Sequence, residues 1–152
     1  MNPSEASDTD HHWLVKAIEL AKQCPSSSTA FSVGAIIVDQ HGREIASGYS
    51  RDTDVHVHAE ESALSRADPL SLCHATLYSS LEPCSTRKSR PTSCTDLILR
   101  AGIPRVVIAW REPSLFVADC QGVELLQAHG VEVTELSDLA DMARSVGMPE
   151  SS

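Results

Sequence analysis

The sequence predicts an α/β domain, a three-layer α-β-α sandwich built on a five-stranded mixed sheet. Three observations carry this. One helical stretch precedes two apolar, β-branched runs separated by Gln40-His41-Gly42, which reads as a hairpin. After the hairpin, strand-like and helix-like stretches alternate to give the order αββαβαβαβα, and such alternation implies one sheet, mixed or largely parallel, with helices on both faces. At 152 residues the chain is one domain's worth, long enough to bury a core without staples.

The elements follow in order. Residues 1–10 are polar and acidic and are expected to form a disordered tail; a single domain is expected over 11–147, with a second short tail at 148–152. From His12 to Cys24, Trp13, Leu14, Ala17, Ile18, Leu20 and Ala21 recur at helical spacing, with Asp10 placed as a cap. Ser32–Asp39 and Arg43–Tyr49 make the hairpin, and a helix follows from His58 to Ala67, closed by Pro69. Ala75–Leu81 reads as a strand and Ser93–Arg100 as a helix stopped by Gly102, with Pro104 barring continuation. Arg105–Trp110 is a buried strand, Val117–His129 a helix closed by Gly130, and Val131–Leu136 a strand. A weak last helix, with Ser137 as its cap, carries Leu139, Met142, Ala143 and Val146 on one side.

Composition removes several function classes. With 41% hydrophobic and 22% charged residues the chain is globular, and its longest apolar runs fall far short of the ~20 residues that span a bilayer. No membrane partner is expected. A net charge of -9 repels a phosphate backbone, so no nucleic-acid polymer is expected either. The acidic N-terminus is unlike a secretory or organellar leader, which predicts a cytoplasmic protein. In that reducing setting five cysteines are first to be tested as metal ligands.

The chemical signal is His58-Ala59-Glu60, then Pro83-Cys84, then Cys94, each at a predicted junction leading into a helix. One imidazole and two thiolates, His58, Cys84 and Cys94, make a partial shell for Zn2+ and leave a fourth corner open. An open corner marks a catalytic zinc, because water bound there has its pKa lowered from ~15.7 toward ~7. Glu60 discriminates further. Removing an amino group from an amidine-like carbon moves protons from water to a ring nitrogen and to departing ammonia, and one carboxylate beside the metal can shuttle them. His58 and Glu60 are two apart, so both reach one site only at a helix start.

The pattern H-x-E followed by P-C resembles the zinc nucleobase deaminases, in which two residues separate the first cysteine from the second. Here nine residues, 85–93, intervene. That long loop, Leu81-Glu82-Pro83-Cys84-Ser85, Arg105–Ala109 followed by Pro113–Ala118, and Gly122–Val133 resemble the pyrimidine deaminase of riboflavin biosynthesis within the cytidine deaminase-like superfamily. The resemblance covers roughly residues 12 to 135. It implies the cytidine deaminase-like fold, a stand-alone deaminase lacking the reductase domain that many bacterial relatives carry, and a homo-oligomer, dimer or tetramer. The implied substrate is a small aminopyrimidine nucleotide, a riboflavin precursor. Where bacterial members have Pro-Asn-Pro, this chain reads Ser28-Thr29-Ala30-Phe31-Ser32. Together with Gly48-Tyr49-Ser50-Arg51 and the longer cysteine loop, this looks more like the fungal-type deaminases.

Substrate contacts are expected from Arg87, Lys88 and Arg90, the chain's one basic cluster and suited to an anionic tail, and from Phe31 and Trp110. Phe31 and Tyr49 fit a stacking role on a substrate ring or simple closure of the hairpin; Trp110 divides between core and pocket. His56 reads as a loop residue, Cys24, Cys73 and Cys120 as buried small hydrophobes, His74 as a surface or packing residue and Trp13 as core. Two rival functions remain: deamination of a cytosine nucleotide, guanine or another purine, and a non-catalytic zinc-stabilised binding domain.

Overall fold

The computed structural model describes residues 3–86, 91–113 and 120–149, with side chains from residue 8 onward. Arg87, Lys88 and Arg90, and the Ser114–Ala118 segment, lie outside the described residues. Helix α1 (Pro3–Ala21) leads into the hairpin β1 (Gly34–Val38) and β2 (Glu44–Tyr49), then α2 (Ala59–Arg66), β3 (Thr76–Ser79) and α3 (Cys94–Ala101). The chain ends with β4 (Arg105–Ile108), α4 (Gly122–Ala128), β5 (Glu132–Glu135) and α5 (Ala140–Gly147). This is the predicted order.

The sheet runs β2-β1-β3-β4-β5. β1 pairs antiparallel with both β2 and β3, whereas β3, β4 and β5 are parallel, so the sheet is mixed. Two glycines show how closely the layers meet. A Cβ on Gly34 would overlap the Ala17 carbonyl of α1, and one on Gly48 would press into Ala59, Ser62 and Ala63 of α2. Ala35, next to Gly34 and on the opposite face, is the partner of Gly48, so α1 and α2 cover opposite faces. α5 joins α1, while α3 and α4 join α2. Between the layers Leu14, Ile18, Ile37, Leu77, Ile98, Val106, Val107, Ile108 and Leu126 are fully buried, each worth about 1.5–3 kcal/mol of transfer free energy.

Several local expectations change. α1 begins at Pro3, inside the stretch read as a tail, because a helix docked through Leu14, Ala17 and Ile18 extends backward into polar sequence with no new nucleation cost. Asp10 is therefore no cap: its carboxylate accepts from Arg105 Nη1 and Nη2 (2.8 and 2.6 Å) and from the Tyr78 hydroxyl (2.8 Å). Ser137 opens a 3-10 turn rather than capping α5. Pro69 likewise begins a 3-10 turn, whose Asp68 side chain accepts from the Leu70 amide. Cys73 is exposed and Cys24 and Cys120 half-buried, because all three sit in turns or loops, outside the buried helix and strand faces. Trp13 is half-buried against the core, and His74 is exposed as expected. No helix among the described residues is long and apolar enough to cross a membrane.

Candidate active site

The site forms where β3 ends and two helices begin. His58 is the N-cap of α2, with extended backbone (φ -92, ψ 158). Its amide donates to Glu61 Oε1 at 3.3 Å, which holds that helix start closed. This cap geometry explains how residues two apart serve one site: His58 lies outside the helix and Glu60 in its first turn. Below them Asp52, its side chain 2% exposed, accepts from Ser62 Oγ at 2.7 Å and pairs with Arg66 at 2.8 Å, so the preceding loop is pinned to α2. Cys94 opens α3 behind Ser93, whose hydroxyl accepts from the Asp96 amide at 3.1 Å.

Cys84 arrives on the loop from β3 and meets both. His58 Nδ1 lies 3.6 Å from Cys84 Sγ and 3.3 Å from Cys94 Sγ, and the three donor atoms fall within 4.8 Å of one another. Tetrahedral zinc with Zn–N near 2.0 Å and Zn–S near 2.3 Å sets nitrogen and sulfur about 3.5 Å apart, so the donor set fits zinc. Among the described residues no other cluster of this kind occurs. The Cys94 amide donates to Cys84 Sγ at 3.3 Å. The contact with Cys94 pulls the Cys84 thiol down, assisted by His58 and opposed by burial; Cys94 is pushed up by the same neighbour and by its own burial. Two adjacent buried sulfurs do not both ionise without a cation between them.

Glu60 is 4% exposed, and burial raises its carboxyl, with His58 pulling the other way. Ser79 Oγ stands 2.8 Å from Glu60 Oε1 and 2.8 Å from Leu81 O. Its single proton satisfies one acceptor at a time; with Glu60 protonated, the carboxyl donates to Ser79 and Ser79 donates to Leu81. The environment thus accepts Glu60 in either protonation state.

A cavity of about 500 Å³ opens in front of this group. His58, Glu60 and Cys84 form its floor, and Phe31, Arg51 and Val57 are among its walls. Trp110 does not line it: buried in the core, it meets Phe31 edge-on, ring centroids 6.0 Å apart, and so supports the wall from behind. Tyr49 is opposite Gly34 in the hairpin and is likewise not among the lining residues. His56 does line the cavity.

Two acids beside the cavity have roles that the sequence does not announce. Glu82 is buried and bridges loops, accepting from the Glu112 and Val123 amides at 3.0 and 2.9 Å. Glu112 faces the cavity, its carboxyl pushed up to about 7 by burial. Glu82 lies within the Leu81-Glu82-Pro83-Cys84-Ser85 stretch that carries the resemblance, but its role rests on amide partners distant in sequence, and Glu112 belongs to no motif.

Fold and donor set together define a zinc-binding deaminase domain. The chain belongs to the family described as the cytidine and deoxycytidylate deaminase zinc-binding region, whose model matches residues 7–110 and so takes in His58, Glu60, Cys84 and Cys94. Among its relatives, the diaminohydroxyphosphoribosylamino-pyrimidine deaminase of Schizosaccharomyces pombe is 43% identical over 127 residues, 81% of this chain and 31% of that protein. The riboflavin biosynthesis protein RibD of Aquifex aeolicus is 37% identical over 127 residues, 83% of this chain and 34% of that one. The chain thus spans about a third of the length of these curated relatives. Among solved structures, RibD of Acinetobacter baumannii superimposes with a TM-score of 0.80 at 32% identity, covering 91% of this chain and 38% of that one. The Aspergillus oryzae Rib2 deaminase, a C-terminal deletion mutant in complex with DARIPP, shares the fold with a TM-score of 0.77 at 23% identity, over 91% of this chain and 90% of that one.

Proposed function

We propose that the chain hydrolyses an amino group from a small aminopyrimidine nucleotide of the riboflavin-precursor type, releasing ammonia and leaving a carbonyl. The observation that carries the proposal is the buried Glu60 carboxyl, two residues from a three-donor metal set and at the floor of an open cavity. His58 Nδ1 and the sulfurs of Cys84 and Cys94 would hold zinc, which when bound would supply a water of lowered pKa. Glu60 takes a proton from the attacking water and gives it to the ring nitrogen, then takes the hydroxyl proton of the resulting adduct and gives it to the departing amine as the carbonyl forms. Ser79 keeps Oε1 of Glu60 oriented between these transfers. Phe31 offers an apolar face to the ring. Arg87, Lys88 and Arg90 are assigned the anionic tail, in support of which Thr86, just before them, lines the cavity.

The similarity to named pyrimidine deaminases favours this substrate over a cytosine nucleotide, guanine or another purine. The reading also takes the enzyme as cytoplasmic and as a homo-oligomer. Its test is Glu60→Gln. The variant is expected to keep its zinc by elemental analysis while ammonia release falls by roughly 10²- to 10⁴-fold, the usual worth of positioned acid–base groups. Mass spectrometry of wild-type product should show a gain of about one dalton, the replacement of an amino group by a carbonyl oxygen. Zinc retention with near-normal turnover in the variant would remove Glu60 from its role; turnover of cytosine or purine compounds alone would replace the substrate.

A further inference from the structure

The cavity wall made by Ser26, Ser27, Thr29, Ala30 and Phe31 belongs to a stretch without helix or strand. Such a stretch has no ladder to hold it, and its carbonyls need partners from elsewhere. One side chain supplies them. Arg51 Nε and Nη2 donate to Pro25 O at 3.1 and 2.7 Å, Nη1 donates to Phe31 O at 3.0 Å, and Nη2 donates to Ser32 Oγ at 2.8 Å. A single guanidinium therefore grips both ends of the wall. Four of its five N–H donors are engaged by those contacts, which leaves too few to cradle a phosphate as well.

The backbone of Arg51 adds a second observation. Its φ is 62, and it is the one non-glycine residue in the left-handed region among those described. That conformation is disfavoured for any residue with a Cβ, yet here it coincides with the residue whose side chain reaches the wall. The Arg51 amide donates to Val57 O at 2.9 Å, which ties the turn to the residue before His58. The Phe31–Ser32 end of the wall has further support from the Ser32 amide on Gly147 O at 2.9 Å and from Trp110 behind Phe31.

We infer that Arg51 is a positioning residue: it fixes the Pro25–Ser32 wall, and with it Phe31, relative to the metal site, and thereby sets how tightly substrate is held. The effect on substrate rests on the deaminase reading; the effect on the wall does not. Arg51→Gly is the informative variant, because glycine adopts the left-handed backbone freely while removing the guanidinium. Zinc content should match wild type. Hydrogen exchange of the amides over 26–33 should quicken by about tenfold or more, as a segment released to local opening does. KM for the aminopyrimidine should rise by about tenfold, with kcat within about threefold, the pattern of lost uniform binding. Arg51→Lys should fall between the two, since an ammonium offers no planar fork.

Unchanged exchange over 26–33 would overturn the inference, and so would faster exchange with unchanged KM. A large loss of kcat at constant KM would also overturn it, by making the effect catalytic rather than positional. A wild-type protein inert on every aminopyrimidine would sink the deaminase reading, while exchange in the glycine variant still decides the clamp.

Discussion

Asp10 shows how a residue's role is set by partners far along the chain. Its side chain is 7% exposed and meets Arg105 and the Tyr78 hydroxyl across the layers. Burial alone would raise its carboxyl, but the bonds from Arg105 and Tyr78 and the Arg105 charge outweigh it and hold the group below the ordinary carboxylate range. A carboxyl depressed in the folded state stabilises the fold above its unfolded pKa of about 3.9 and loses that contribution as pH falls through the folded value. Asp10→Asn is therefore expected to lower stability at pH 7 by about 1.5–3 kcal/mol, measured by denaturant unfolding, with the gap narrowing as pH falls below about 3.9 and closing once the folded-state carboxyl is protonated. A gap that stays constant through the acid limb of the stability profile would assign the effect to packing instead. The convergence of His58, Cys84 and Cys94 beside Glu60 was legible in the sequence because zinc chemistry accepts few residue types, whatever surrounds them. The roles of Arg51, Asp52, Glu82 and Glu112 were not, even where Arg51 and Glu82 stand in stretches that carry the resemblance, since each acts through partners distant in the chain or through its place at the cavity.

At the scale of elements, the candidate metal ligands are held by helix starts and by one tight loop contact. α4 begins at Gly122, where a Cβ would overlap the Pro83 carbonyl, and Cys120 Sγ approaches the same carbonyl at 3.5 Å. Glu82 accepts from Val123, the next residue of α4, so this helix start packs directly against the loop that presents Cys84. Gly122→Ala must move one backbone against the other. The expected cost is about 1–3 kcal/mol of stability, as for overpacking elsewhere, together with weaker zinc retention on dialysis. Ordinary stability with full zinc would show that the Pro83 loop yields freely. Helix and strand identities were readable here from periodicity, as was Gly102, which ends α3 at φ 78. The start of α1 was not, because polar residues 3–10 carry no apolar stripe; nor was the antiparallel pairing of β1 with β3, which depends on how the hairpin docks.

Across the whole molecule, the sheet brings together ligands that are 36 residues apart in the chain, from His58 to Cys94, with Cys84 between them. The starts of α2 and α3 and the loop after β3 converge on one point, so an ion there ties three segments that otherwise join through packing on a single face. Binding to the folded state alone stabilises it by about 4 kcal/mol when free ligand is 1,000 times Kd. For a domain of this size each kcal/mol shifts Tm by about 2–4 °C, so stripping zinc with a chelator should lower Tm by about 8–16 °C. Added zinc should restore it, and Cys94→Ser should show a lower starting Tm with a smaller response to the chelator. The reason lies in the sulfurs: a cation between them lets Cys84 and Cys94 both ionise and ties the three segments at the point where they meet, a tie that the neutral Cys94 thiol of the metal-free state does not supply. If elemental analysis shows the metal gone and Tm is unmoved, the convergence is maintained by the apolar core alone, and the ion serves chemistry without serving the fold.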